Sequence, residues 1–207
     1  FDDLLAYLII GIIVGGRIGY VIFYNPEYYL ENLHQILMIW NGGMSFHGGL
    51  IGVFVATIIF SRKHKIDPYI FLDLISLVAP IGIFFGRIAN FINSELYGRE
   101  ADLLWSVKFQ AIDNIPRHPS QIYEAIFEGI ILFLLLNFFR KKFALKKPGL
   151  ISSFFLIFYS IFRFILEFYR APDPQIGYLL FHLTFGQILS IIFIFFGIAI
   201  FVKKNEN

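Results

Sequence analysis

Six apolar stretches, at about 4–24, 44–60, 69–93, 122–139, 150–169 and 178–202, constrain this chain more than any other feature. A helix needs roughly 20 residues, at 1.5 Å of rise each, to cross the hydrocarbon core of a bilayer. Five stretches meet that length. The second, 44–60, sits at the lower limit and leaves little room for tilt. Only 15% of the 207 residues are charged, against about 25% in soluble domains. No single aqueous core absorbs this much apolar chain. Within lipid the backbone must be satisfied without water, and apolar runs of about 20 residues do so as helices. The expected fold is therefore all-α: a polytopic helical bundle forming one transmembrane domain over 1–207, with a small external cap at about 94–121.

Loop charges give an orientation. Arg62, Lys63, Lys65, Arg140, Lys141, Lys142, Lys146, Lys147, Lys203 and Lys204 follow the second, fourth and sixth stretches. The alternate loops hold only Arg99, Lys108, Arg117 and Arg170. The positive-inside rule places the basic loops and both termini of the chain in the cytoplasm. The acidic start, Asp2 and Asp3, is not the basic flank that holds a terminus inside, so a further helix upstream of Phe1 is expected.

Glycines recur at four-residue spacing in Gly11, Gly15 and Gly19, in Gly48 and Gly52, and in Gly82 and Gly86. Such stripes let helix backbones approach closely in lipid. Pro80 removes a backbone donor within the third stretch and is expected to kink it.

Charge inside the apolar stretches points to a site. Arg17, Arg87 and Arg163 lie in the first, third and fifth stretches, where an arginine costs about 2.5–3.5 kcal/mol even on the lenient insertion scale. Each falls one to two turns short of its helix's outer end, so the three are expected at one depth in the outer leaflet. His47, Asn90, Glu95, Gln121, Glu124, Glu128, Glu167, His182 and Gln187 fall near the same level. The inner half offers little beyond Asp73. Guanidinium groups take phosphate with a planar bidentate fork, and a histidine or carboxylate can accept a proton from a nucleophile. A structural Arg163–Glu167 pair at i,i+4 is the plainer alternative, and snorkelling explains any single arginine near a helix end.

The chain has no cysteine, which excludes disulfides, thiolate metal sites and a cysteine nucleophile. HExxH, Walker A and Cys/His clusters are missing too, so no metal, cofactor or nucleic acid is expected. An anion or lipid transporter with an arginine-lined pathway is the rival reading. Transporters place their sites near the midplane and often carry paired repeats, and neither pattern is present.

Motif order then becomes informative. GGRIGYVIFYN at 15–25, SFHGGLIG at 45–52, GRIANFINSELYGR at 86–99, RHPSQIYEAIFEG at 117–129, FRFILEFYRAPD at 162–173 and GQILS at 186–190 occur in sequence. Together, from about residue 4 to about 200, they closely resemble the prolipoprotein diacylglyceryl transferase family. The resemblance implies a multi-pass enzyme of the bacterial plasma (inner) membrane with its active site toward the outer leaflet. It implies transfer of the diacylglyceryl group of phosphatidylglycerol to the lipobox cysteine of prolipoproteins, with release of glycerol phosphate. The expected partners are phosphatidylglycerol, other membrane lipids and prolipoprotein signal peptides.

Residue by residue, Arg87 resembles the family's headgroup ligand, and Asn90, Glu95 and Gly98 resemble important positions of the same segment. His47 resembles the histidine proposed as base for the thiol, with hydrogen bonding to the headgroup or backbone as the alternative. Arg163 and Glu167 resemble the essential Arg/Glu pair, with Arg163 suited to the leaving phosphate. Arg17, Gln121, Tyr123 and Glu124 complete the expected phosphatidylglycerol site. Family members carry seven helices, with an important tyrosine on the first, so that helix is expected upstream of this chain. The external segment 99–116 is shorter than in long-headed members, which bears on lipoprotein recognition more than on the chemistry.

Overall fold

The computed structural model describes residues 2–24, 26–143, 147–172 and 177–206. Helices dominate. Among the described residues, four are long and apolar enough to cross a membrane: Asp3–Phe23, Pro68–Ile92, Ser120–Lys142 and Phe185–Asn205. The apolar helix Leu150–Leu166 is shorter. Contacts group the chain into two compact units, up to Leu72 and from Asp73 onward.

In the first unit, α1 (Asp2–Tyr24) packs along α3 (Phe46–His64). The glycine stripes are the reason. A Cβ on Gly11 would lie 2.6 Å from the Gly52 carbonyl oxygen, and one on Gly52 would overlap the Gly11 carbonyl oxygen. Gly15 and Gly48 stand in the same relation. Small residues thus let two backbones touch, the route open to helices that gain nothing from excluding water. By contrast, a Cβ on Gly82 or Gly86 meets nothing within 4 Å among the described residues.

Helix α3 extends to His64, past the apolar limit at 60, because basic residues favour a helix C-terminus. It starts at Ser45, whose Oγ accepts from the Gly48 N–H at 3.2 Å. Between α1 and α3 lie a short helix, α2 (Pro26–Glu31), and two 3-10 turns, Leu33–Leu37 and Ile39–Asn41. No apolar periodicity announced them.

Helix α4 (Pro68–Ile92) carries the buried Pro80 within one continuous helix. In the second unit, α5 (Ser120–Glu124), a π-helical turn (Ala125–Ile131) and α6 (Leu132–Phe143) run on as a single helix. It starts earlier and ends later than the apolar stretch 122–139. Leu132 and Leu136 pack on Ile151 of α7 (Leu150–Leu166), with Phe139, Phe154 and Phe158 around them. Asp73 caps α7 from α4: its carboxylate accepts from the Gly149 and Ser152 N–H groups, both at 2.7 Å. The one polar side chain noted for the inner half thus satisfies orphan helix donors.

Helix α8 is Phe185–Asn205, seven residues later than expected. Thr184 and Gln187 form a capping box there, which fixes the start more firmly than hydropathy does. The cap is partly ordered by a ribbon, β1 (Val107–Lys108) antiparallel to β2 (Pro116–Arg117). It is stitched to the segment after α7 through the Gly98–Arg170 bridge and the Arg99 N–H to Tyr169 carbonyl bond of 2.9 Å.

Candidate active site

Charge gathers in the second unit. Arg87 on α4 places Nε 2.8 Å from Glu124 Oε2 and Nη2 3.2 Å from Glu128 Oε2. Arg163, in the last turn of α7, places Nη1 2.8 Å from Glu124 Oε1 and Nη2 2.6 Å from Glu167 Oε2. Weaker approaches complete the cluster, Arg163 to Glu128 at 3.7 Å and Arg170 to Glu124 at 3.9 Å. Glu124 is the hub, with one oxygen on each of two arginines.

Local structure explains the convergence. Glu124 and Glu128 lie four residues apart and share a helix face. The π turn begins between them, a feature frequent at functional sites. Gly129 lets this turn approach α4, since a Cβ there would lie 2.7 Å from Phe84 Cβ, one turn before Arg87.

Arg87, Arg163 and Arg170 face Glu124, Glu128 and Glu167, so as a set the groups are neutral. Glu124 and Glu128 are fully buried, while the Arg87 and Arg163 side chains keep 16% and 12% exposure. Buried ion pairs return little net stability, because desolvation of each ion costs several kcal/mol. A six-member array among apolar helices is more economically explained by function. Glu128 Oε1 and Gln121 Oε1 are buried with no hydrogen-bond partner among the described residues.

Glu167 follows α7 directly and is buried. Its Oε1 accepts from the Thr184 hydroxyl at 3.0 Å while Oε2 faces Arg163.

Asn90, Glu95 and Gln121 form a second group. The Asn90 side-chain amide donates to Glu95 Oε2 at 2.8 Å, and the Gln121 amide to the Glu95 carbonyl at 2.6 Å. Gly98 has a steric role, since a Cβ there would collide with the His118 carbonyl. The Tyr123 hydroxyl accepts from Trp105 Nε1 at 2.7 Å and lies 3.2 Å from His118 Nδ1. Burial holds the His118 ring below its ordinary pKa. Arg117, 2.6 Å from Asp113, holds that carboxyl below the usual range.

Arg17, expected at the headgroup, has another occupation. Its five N–H groups donate to the backbone carbonyls of Gln35, Ile36, Met38, Gly42 and Gly43. That ring satisfies a buried guanidinium completely and leaves no donor for a phosphate. His47 lies in α3, and its side chain falls outside the described residues.

Three participants, Glu128, Arg170 and Thr184, carried no assigned role in the sequence. Glu128 was legible as a face-mate of Glu124. Thr184 was legible only as the first residue of a T-x-x-Q capping box, a signal of helix start rather than of chemistry.

The sequence model of the family described as prolipoprotein diacylglyceryl transferase matches residues 1–203. The chain is 52% identical over 207 residues to a phosphatidylglycerol–prolipoprotein diacylglyceryl transferase of Rhodospirillum rubrum, covering 99% of this chain and 76% of that protein. It is 50% identical over 201 residues to the protein of that name from Nitrobacter winogradskyi, covering 96% and 69% respectively. For that of Rickettsia felis the figures are 50% over 208 residues, 100% and 80%.

Proposed function

Because this chain belongs to the prolipoprotein diacylglyceryl transferase family, we propose that it transfers the diacylglyceryl group of phosphatidylglycerol to the lipobox cysteine of prolipoproteins. The thiol loses its proton, sulfur bonds to the glyceryl carbon, the carbon–oxygen bond to phosphate breaks, and glycerol phosphate leaves. Six crossings put the basic loops in the cytoplasm and the polar cluster toward the outer leaflet, where donor lipid and signal peptide both arrive.

The observation that carries the reading is Glu124 held between Arg87 and Arg163 at 2.8 Å on each side. One carboxylate fixes both guanidiniums, so their remaining donors are oriented before any ligand enters. Arg87 takes a phosphate oxygen through Nη1, the nitrogen that pairs with neither Glu124 nor Glu128. Arg163 neutralises the second charge that grows on the phosphate as the carbon–oxygen bond breaks, with Glu167 setting its angle. Donors aimed at developing charge are the largest source of such acceleration.

Gln121 Oε1, with no hydrogen-bond partner among the described residues, and Glu128 Oε1, whose facing cation is Arg163 at 3.7 Å, are acceptors of the kind that the headgroup's glycerol hydroxyls would satisfy. Asn90 and Glu95 shape the entry beside them. Gly98 and Tyr123 act through the backbone approach and aromatic contacts that hold the cap, and Arg17 acts through the segment it braces. His47 enters from its HGGL motif as acceptor of the thiol proton.

The test uses the protein in phosphatidylglycerol vesicles with a lipobox peptide, reading the peptide's mass gain and free glycerol phosphate. Arg87→Ala and Arg163→Ala are expected to abolish transfer while the protein still inserts, and lysine at either position to restore little. Wild-type rates in both alanine variants would end the phosphate reading.

A further inference from the structure

We infer that Thr184 is a positioning residue for transfer, acting through Glu167 on Arg163. This rests on the reading of Arg163 as ligand of the leaving phosphate.

The starting observation is a buried carboxylate with different partners on its two oxygens. Glu167 Oε2 meets Arg163 Nη2 at 2.6 Å, and Oε1 accepts from Thr184 Oγ1 at 3.0 Å. Thr184 and Glu167 are both buried, at 3% and 5% exposure, so water does not substitute for the hydroxyl.

The hydroxyl is itself held. As N-cap of α8 it accepts from the Gln187 N–H at 3.3 Å, while its own N–H donates to Gln187 Oε1 at 3.0 Å. A threonine hydroxyl has one hydrogen. With the Gln187 N–H occupying a lone pair, that hydrogen is free to point at Glu167. The capping box therefore sets the donor direction.

Gly186 supplies the third constraint. A Cβ there would lie 3.1 Å from Glu167 Oε1, 3.2 Å from Cδ and 3.3 Å from Oε2. The carboxylate lies flat against a glycine in the first turn of α8. That turn also carries the partial positive charge of a helix amino end, which favours an anion. Glu167 is thus clamped by a hydroxyl, a missing side chain and a helix terminus, all on a different helix from Arg163. The salt bridge transmits the clamp to the guanidinium.

A group that aims Arg163 at charge appearing during bond cleavage changes kcat more than substrate affinity. Thr184→Val keeps the shape and removes the donor. Hydrogen bonds to charged groups are strong enough for an expected loss of about tenfold in kcat. The KM for phosphatidylglycerol is expected to stay within about twofold, and Thr184→Ser to recover most of the rate, because it restores the donor.

Gly186→Ala separates positioning from stability. Alanine is the better helix former, which offsets part of the cost of its methyl pressing on the carboxylate, so the melting temperature should change little while kcat drops. It also keeps the test decisive if Thr184→Val does not fold. A folded Thr184→Val with wild-type kcat, a loss carried in KM, no recovery by serine, or Gly186→Ala at full rate would each overturn the inference. An active Arg163→Ala variant would instead sink the underlying phosphate reading, so the two failures are distinguishable.

Discussion

Glu124→Gln tests whether one carboxylate organises the cluster. Glutamine keeps the shape and one oxygen but replaces the other with an NH2 donor. Since Glu124 faces Arg87 on one oxygen and Arg163 on the other, either amide orientation sets a donor against a guanidinium donor. At an effective dielectric of about 20, unit charges 2.8 Å apart attract by about 6 kcal/mol. Two such contacts give about 12 kcal/mol gross, from which the desolvation already borne by the ions must be subtracted. Removing one partner of a buried ion pair typically costs about 3–5 kcal/mol net. For a chain of this size each kcal/mol moves the melting temperature by about 2–4 °C, so a fall of roughly 6–20 °C is expected. Thermal unfolding in detergent, followed by intrinsic fluorescence, reads it, and transfer should be lost at temperatures where the variant is still folded. Glu128→Gln should cost less, because its contacts are longer, 3.2 Å and 3.7 Å. A Glu124→Gln variant that melts with the wild type and transfers normally, or a Glu128→Gln variant that suffers more, would refute the hub argument.

Arg17→Lys should loosen the segment before α3, since an ammonium has three donors for five carbonyls. The expected loss is about 2 kcal/mol or more, with faster proteolytic cleavage within 33–43; unchanged cleavage would discount the brace. The cap should loosen in acid. The folded pKa of Asp113 is depressed by Arg117 and that of His118 by burial. Each contribution is present above the group's unfolded pKa and is lost as pH falls through its folded value. His118 therefore acts below about pH 6.5 and Asp113 below about pH 4. Trp105 fluorescence should report the change, and Asp113→Asn should remove the lower step.

Much of the architecture was legible because the signals are local. Spans near the observed helices followed from runs of apolar residues, since a helix in lipid satisfies its own backbone. Errors sat at ends, where hydropathy is silent: α8 begins at its Thr184 cap rather than where its apolar run begins. The α1–α3 contact was visible as a glycine period, while the same period at Gly82 and Gly86 meets no neighbour among the described residues.

By itself the sequence determined that the chain is a helical membrane protein, which loops carry the positive charge, and, through six motifs in order, its family. It also determined that Arg87 and Arg163 need partners, because buried cations do. Only the tertiary structure decided which partners: Glu124 for both, loop carbonyls for Arg17, and the Thr184 hydroxyl for Glu167. The physical reason is range. Hydropathy and capping act within a few residues along the chain, whereas the choice of partner for a buried charge is made across helices 17 to 41 positions apart, by whichever group packing delivers within 3.2 Å.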